Sequence, residues 1–194
     1  VILRKLWTWE REQLRAHLLR LSVEDRRWRF CRPVNDNVIH RYCDGIDWSR
    51  TTVVGCFAGS ALRGVAELVR IPEGVPVGAE VALSVEEPWQ GRGIGAKLLQ
   101  KALLLARNRF VDTVHMLSLR DNERIQRLVR GLGASVSTYA AASEGRIRLP
   151  WPSHLSLLEE IADDGQALIS AVFELPVGDF AAGPESPKPA AGIR

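Results

Sequence analysis

The sequence predicts an α+β fold, a mixed α/β architecture with a central mixed sheet and helices on its flanks. Three observations carry that reading. The residues before Thr51 place their apolar side chains at helical spacing. Thr51–Arg70 is β-branched and apolar, with a Gly-Ser break near its middle. From Glu80 onward, strand-like and helix-like segments alternate.

The first helix is predicted within Trp9–Leu21, where Leu14, Leu18, Leu19 and Leu21 share one face. Ser22, followed by Glu24 and Asp25, caps a second short helix ending near Arg29. Pro33 breaks the chain. Asn35 or Asp36 starts a third helix through Val38, Ile39 and Tyr42, which Gly45 ends. TTVVGCFA from Thr51 is a strand, Gly59–Ser60 a turn and Ala61–Arg70 the returning strand of a hairpin. Pro72, Gly74, Pro76 and Gly78 mark a loop, and Glu80–Val85 is the next strand.

A helix is predicted from Ile94 to about Arg107, then a strand over Asp112–Leu119. Asn122–Val129 is helical, with Ile125, Leu128 and Val129 on one face, and Gly131-Leu132-Gly133 terminates it. Ala134–Ala140 is a strand, Glu144–Gly145 a turn, and Arg146–Leu149 a short strand. Ser153 caps a last helix whose apolar face runs from Leu157, Leu158 and Ile161 to Phe173, with Gly165 as a point of interruption. That face suits either packing across the sheet or a homodimer contact. Residues 1–175 read as one domain. Residues 176–194, rich in Pro, Gly and Ala, read as a loose tail.

Composition narrows the class. Apolar residues form 46% of the 194, enough for a packed core. The net charge of +3 attracts an anion, but the arginines are scattered, which argues against nucleic acid. No apolar run is long enough to cross a bilayer, and no secretory pattern is seen, so no membrane partner and a cytoplasmic location are expected. Three cysteines, Cys31, Cys43 and Cys56, do not suggest a disulfide framework. Cys31, His40 and Cys43 have irregular spacing and lack a fourth ligand, so no metal is expected. His17, His115 and His154 stand isolated along the chain.

The run VALSVEEPWQGRGIGA, Val81–Ala96, carries the chemistry. A Gly-rich turn between a strand and a helix start presents unpaired backbone N–H groups, a site for a phosphate-bearing ligand. No Gly-Lys-Ser/Thr follows, so it is not a P-loop, and no second mononucleotide-binding half supports a dinucleotide fold. Gly93 and Gly95 permit close approach, and Arg92 adds a charged donor.

The spacing Gln90-x-x-Gly93-x-Gly95 between a strand and a helix resembles the acyl-CoA-binding motif of the GNAT family of N-acetyltransferases. The resemblance covers Thr51–Ala140. Within the family, AEVALSVEEPWQGRGIG, the segment Leu21–Phe30, and Asn122 with Gly131-Leu132-Gly133 look like the acetyltransferase domain of bacterial protein-lysine acetyltransferases. The resemblance implies a mostly antiparallel sheet and acetyl-CoA as donor. It makes Gln90, Gly91, Arg92, Gly93, Ile94 and Gly95 cofactor-binding residues, with the N–H groups of Gly91 to Gly95 on the pyrophosphate. Leu83, Ser84 and Val85 would pair with the pantetheine arm, Asn122 would border it, and a backbone N–H near Val85 would serve the oxyanion.

Acetyl transfer to an amine needs a base, because a free lysine has a pKa near 10.4. The protein-acetylating relatives carry a Glu just before the central strand, and Glu80 matches it. Glu67, on the preceding strand, is the second candidate. Glu86 and Glu87 read as loop charge. Many members place a Tyr seven residues after the helix Asn as the acid for the thiolate. Here that residue is Val129, a departure from the pattern. Trp89 reads as a loop anchor, and Trp28 and Phe30 as either acceptor-side walls or core. The expected function is transfer from acetyl-CoA to a primary amine, either a protein lysine or a small molecule. A longer acyl donor stays open. A non-catalytic CoA-binding sensor or interaction module of the same fold is the alternative.

Overall fold

The computed structural model describes residues 1–71, 77–139 and 142–173, with side chains as far as residue 165. In chain order its elements are β1 (Ile2–Lys5), a 3-10 turn (Thr8–Glu10), α1 (Arg11–Arg20), α2 (Val23–Phe30) and α3 (Asp36–Asp44). Then come β2 (Thr51–Ala58), β3 (Ala61–Ile71), β4 (Gly78–Val85), α4 (Ile94–Asn108), β5 (Thr113–Leu119) and α5 (Glu123–Gly131). β6 (Ser135–Tyr139), β7 (Ala142–Arg148) and α6 (His154–Phe173) complete it. The strands form one mixed sheet in the order β1-β2-β3-β4-β5-β7-β6, antiparallel except for the β4–β5 pair.

Local chemistry sets the helix starts. Ser22 Oγ accepts the Asp25 N–H at 3.1 Å, and Asn35 Oδ1 accepts that of Val38 at 3.0 Å. Ser153 Oγ does the same for Ser156 at 3.2 Å. Each satisfies a first-turn donor that lacks an intrahelical partner. The sheet is buried on both faces. On one, α4 supplies Leu98, Leu99 and Leu105 against Val54, Leu68 and Val81. On the other, Leu14, Leu18 and Ile39 of α1 and α3 cover Val53, Phe57 and Val65.

Some expectations need correction. β1 is absent from the sequence reading, because four residues carrying Arg4 and Lys5 lack a strand signature. Its arginine is nevertheless buried, gripped by both oxygens of Glu10 and lying 3.8 Å over the Phe57 ring. Gly78 is not in the preceding loop: it opens β4, paired with Ile71 and Thr113. The rest of that loop lies outside the described residues, as does the tail. Glu144–Gly145 is no turn but the middle of β7, opposite Leu117 and Met116 of β5.

α6 runs unbroken through Gly165. Its apolar residues Leu155, Leu157, Leu158 and Ile161 are exposed, and its polar side faces the protein. Glu160 meets Lys5 and Arg109, Asp164 also meets Lys5, and Ser156 bonds Asn108. The cations and amide at this corner of the molecule select the carboxylates of α6, overriding its apolar pattern. Among the described residues, no helix is long and apolar enough to cross a membrane.

Candidate active site

β4 and β5 pair over only three positions: Gly78 with Thr113, Ala79 with Val114, and Glu80 with His115. Beyond these, β4 continues on β3 as far as Val85, and β5 continues on β7. The strands therefore part, leaving one backbone edge of Val81–Val85 without a partner strand. An edge of this kind offers N–H and C=O groups to an extended ligand, as a further strand would. Two open clefts occupy the gap. The upper, about 680 Å³, is lined by Leu83, Ser84, Val85, Gly91, Gly93 and Gly95. The lower, about 670 Å³, is lined by Phe30, Cys31, Glu80, Ala82, Met116 and Ser118. Trp28, Leu83, Asn122 and Ile125 border both.

The upper cleft ends at the glycine turn. Gly91 and Gly93 have φ of +72° and +75°, the left-handed region that favours glycine. Gly93 is also the N-cap of α4, and its C=O takes the Lys97 N–H at 3.2 Å. As a glycine it brings no side chain to the N–H groups of the first turn, Ile94, Gly95 and Ala96. A Cβ built on Gly91 or Gly93 would meet no protein atom within 4 Å. The turn is thus an open cradle of donors at the positive end of a 15-residue helix, which suits a pyrophosphate. Arg92 stands beside it, its guanidinium 5.1 Å from the Trp89 ring centre.

Gln90 builds this turn from within. Its amide donates to the Val85 carbonyl at 2.9 Å and to Asp25 of α2 at 3.0 Å, while its oxygen accepts from Arg124 of α5. Its backbone N–H is also used, by Glu87 O at 3.1 Å. So Gln90 ties β4, α2 and α5 together, and the donors left for a ligand begin after it. Asn122 caps α5 through Ile125 at 3.3 Å and lies buried between the two clefts.

Two carboxylates on neighbouring strands share one face of the sheet. Glu67 stands opposite Ala82, and Glu80 opposite Val69. Glu80 is exposed in the lower cleft and makes no hydrogen bond or ion pair among the described residues. Glu67 is fully buried: Oε1 takes Arg29 at 2.5 Å and Oε2 takes the Tyr42 hydroxyl at 2.7 Å. Burial beside this carboxylate pushes the Tyr42 hydroxyl well above its usual range, so it stays protonated and donates.

A third group escaped the sequence reading. His17 of α1, completely buried, places Nε2 2.9 Å from Ser84 Oγ and Nδ1 3.2 Å from Glu86 Oε1. Glu86 is not loop charge: it is buried and also binds Arg20 Nε and Arg63, each at 2.9 Å. Burial pushes its carboxyl up, but hydrogen bonds from His17, Arg63 and Arg20 outweigh that and hold it at about 2. Burial lowers His17, against the pull of Glu86. Spacing groups these residues within their own segments and leaves the contact between the segments to folding. His17 and Arg20 lie three apart on one helix face, and Ser84 and Glu86 two apart at a strand end.

Val129, at the position of the missing Tyr, is buried in the core rather than open to a cleft. Trp28 and Phe30 do line the clefts. Cys31, His40 and Cys43 do not gather: among the described residues, no cluster of three or more His, Cys, Asp or Glu side chains could hold a metal ion.

No curated protein matches the chain. Solved structures do match. The GNAT domain of S. lividans PAT superposes with a TM-score of 0.66 at 22% identity, covering 76% of this chain and 89% of that one. A cAMP-binding acyltransferase from Mycobacterium smegmatis, solved as a point mutant, gives 0.55 at 23%, covering 88% of this chain but 51% of its own. A PaiA N-acetyltransferase from Thermoplasma acidophilum, in complex with coenzyme A, gives 0.56 at 19%, covering 75% and 97%. At these identities the likeness is one of fold. The model of the acetyltransferase (GNAT) family matches residues 3–134. That span includes β1 through α5, the parted strands and the glycine cradle, and the chain belongs to the acetyltransferase (GNAT) family.

Proposed function

We propose that the protein transfers an acetyl group from acetyl-CoA to a primary amine, with Glu80 as the base. The observation that supports this most is the parting of β4 and β5 after Glu80. It joins an anion cradle at one end to a free carboxylate at the other. First-turn N–H groups after Gly93, with Arg92, hold the pyrophosphate. The free edge of Leu83–Val85 orients the pantetheine arm, and a backbone N–H near Val85 meets the thioester oxygen. Bound acetyl-CoA supplies the activated acyl group.

The acceptor comes from the other face, through the lower cleft. Trp28, Phe30 and Met116 give it apolar walls and Glu80 a carboxylate. A long aliphatic arm ending in an amine fits that lining, and a protein lysine is such an arm. Glu80 draws the amine proton through a chain of several waters along the lower cleft, since four residues of strand, about 13 Å, separate it from Ser84 beside the thioester end. Glu67 already spends both oxygens on Arg29 and Tyr42, so its part is to fix α2 and α3 to the sheet. A thiolate leaving group with an ordinary thiol pKa of about 8.5 departs without a strong acid, which makes Val129 compatible with turnover.

The test is release of free CoA on addition of amines, using lysine peptides and small amines side by side, for the native protein and Glu80→Gln. Amine-dependent release that Glu80→Gln abolishes supports the reading, and the better series names the acceptor class. Coenzyme A binding with no release for any amine would instead mark a sensor module.

A further inference from the structure

We infer that Ser84, His17 and Glu86 form a nucleophilic triad inside the upper cleft, and that without an amine the protein acetylates Ser84 and slowly hydrolyses acetyl-CoA. The inference rests on the acetyl-CoA reading of that cleft.

The hydrogen-bond order dictates the protonation state. Glu86 receives Arg20 and Arg63, so it is an ionised acceptor. His17 Nδ1, 3.2 Å away, must then carry the proton and donate it. That leaves Nε2 as a bare lone pair 2.9 Å from Ser84 Oγ, and it accepts the hydroxyl proton. Burial of the imidazole keeps it neutral, hence able to take a proton. The arrangement meets the geometric requirement for an activated serine: a base within hydrogen-bond reach, oriented by a carboxylate.

The same order excludes the opposite role. Ser84 has one proton and gives it to His17, so its oxygen keeps its remaining lone pair and does not serve as an acid. Its place also fits. Ser84 is a wall of the upper cleft, one residue from Val85 at the end of the free β4 edge. Glu80, the other base, is about 13 Å of strand away.

The step balances with water as co-reactant. Ser84 Oγ bonds to the thioester carbon while His17 Nε2 takes the hydroxyl proton. The C–S bond breaks, and His17 returns that proton to the departing sulfur. Water then adds to the ester carbon, its proton passing through His17 to Ser84 Oγ as the C–O bond breaks. Acetate leaves, and its remaining proton goes to solvent.

The experiment incubates the native protein with acetyl-CoA and no amine, followed by intact mass, peptide mapping and free-thiol release. Ser84→Ala and His17→Gln are run beside it, and calorimetry with coenzyme A checks that each still binds. An acetyl group mapped to Ser84, or thiol release that falls about 100-fold in Ser84→Ala, supports the triad. Unmodified Ser84 together with thiol release unchanged in Ser84→Ala overturns it. A separate readout needs neither donor nor variant: in the ligand-free protein, nitrogen NMR finds the His17 proton on Nδ1, and a proton on Nε2 overturns the triad. If the native protein fails to bind coenzyme A, the reading of the cleft fails, whereas binding without Ser84-dependent chemistry sinks this inference alone.

Discussion

Glu67 and Glu80 lie on one face of adjacent strands, opposite Ala82 and Val69 respectively, yet only Glu80 has a free carboxylate. Substitution separates their roles. Glu80→Gln lowers amine-dependent kcat/KM by about 10²- to 10⁴-fold and moves unfolding by no more than about 0.5 kcal/mol. Glu67→Ala strands the buried Arg29 guanidinium and costs about 3–5 kcal/mol. Urea unfolding read beside amine-dependent CoA release checks both. An active Glu80→Gln would remove the base assignment.

Gly93 offers a contrast with Gly59, the hairpin glycine. Both have positive φ, +75° and +60°, and neither would meet a protein atom with an added Cβ. Alanine at either site therefore costs about 1–2 kcal/mol of backbone strain. Only at Gly93 does the methyl enter the anion cradle. Calorimetry should show coenzyme A binding weakened about tenfold or more by Gly93→Ala, or about 1.4 kcal/mol, and unchanged by Gly59→Ala. Equal affinity in both would place the pyrophosphate elsewhere.

Much of this was legible in the chain. The hairpin, the strand–turn–helix and the caps at Ser22, Asn35 and Ser153 depend on local chemistry, and local chemistry is what sequence displays. The glycine turn was legible for the same reason, whereas Glu80 was singled out by the family resemblance. Three features were not legible. The inverted polarity of α6 depends on Lys5, Lys101 and Arg109, remote in sequence from its carboxylates. Glu86 looked like loop charge and Glu67 like a second base, because their partners Arg20, Arg63 and Arg29 come to them only on folding. Gln90 looked like a cofactor-binding residue because the contacts of its side chain to α2 and α5 arise only on folding.

The His17–Glu86 pair gives stability a pH dependence of known sign. The ordinary imidazole value is 6.5, and burial holds folded His17 below it. As pH falls below about 6.5, the unfolded chain binds a proton that the folded chain refuses, so stability drops. Glu86 titrates ordinarily at 4.5 and is held at about 2 when folded. Its contribution is full above about 4.5 and vanishes as pH falls to about 2. Both effects weaken the fold on the acid side. Melting temperatures measured from pH 8 to 3 should fall in two stages, and His17→Gln should remove the upper one. A melting temperature flat from pH 7 to 5 in the native protein would contradict the neutral buried imidazole.

Val129 bears on whether the missing Tyr could simply be restored. Its Cγ1 would lie 2.5 Å from a Cβ on Gly145, so β7 needs a glycine there to let α5 pack. Gly145→Ala overfills this contact and costs about 1–3 kcal/mol. Adding Val129→Ala relieves the clash, and the double-mutant cycle should show a favourable coupling of about 0.5–3 kcal/mol. Val129→Tyr carries a larger side chain into the same buried space. It should lower the urea midpoint and leave amine-dependent turnover per folded molecule no higher than that of the native protein. A stable Val129→Tyr variant with faster turnover would mean that this face of α5 reaches the thioester after all.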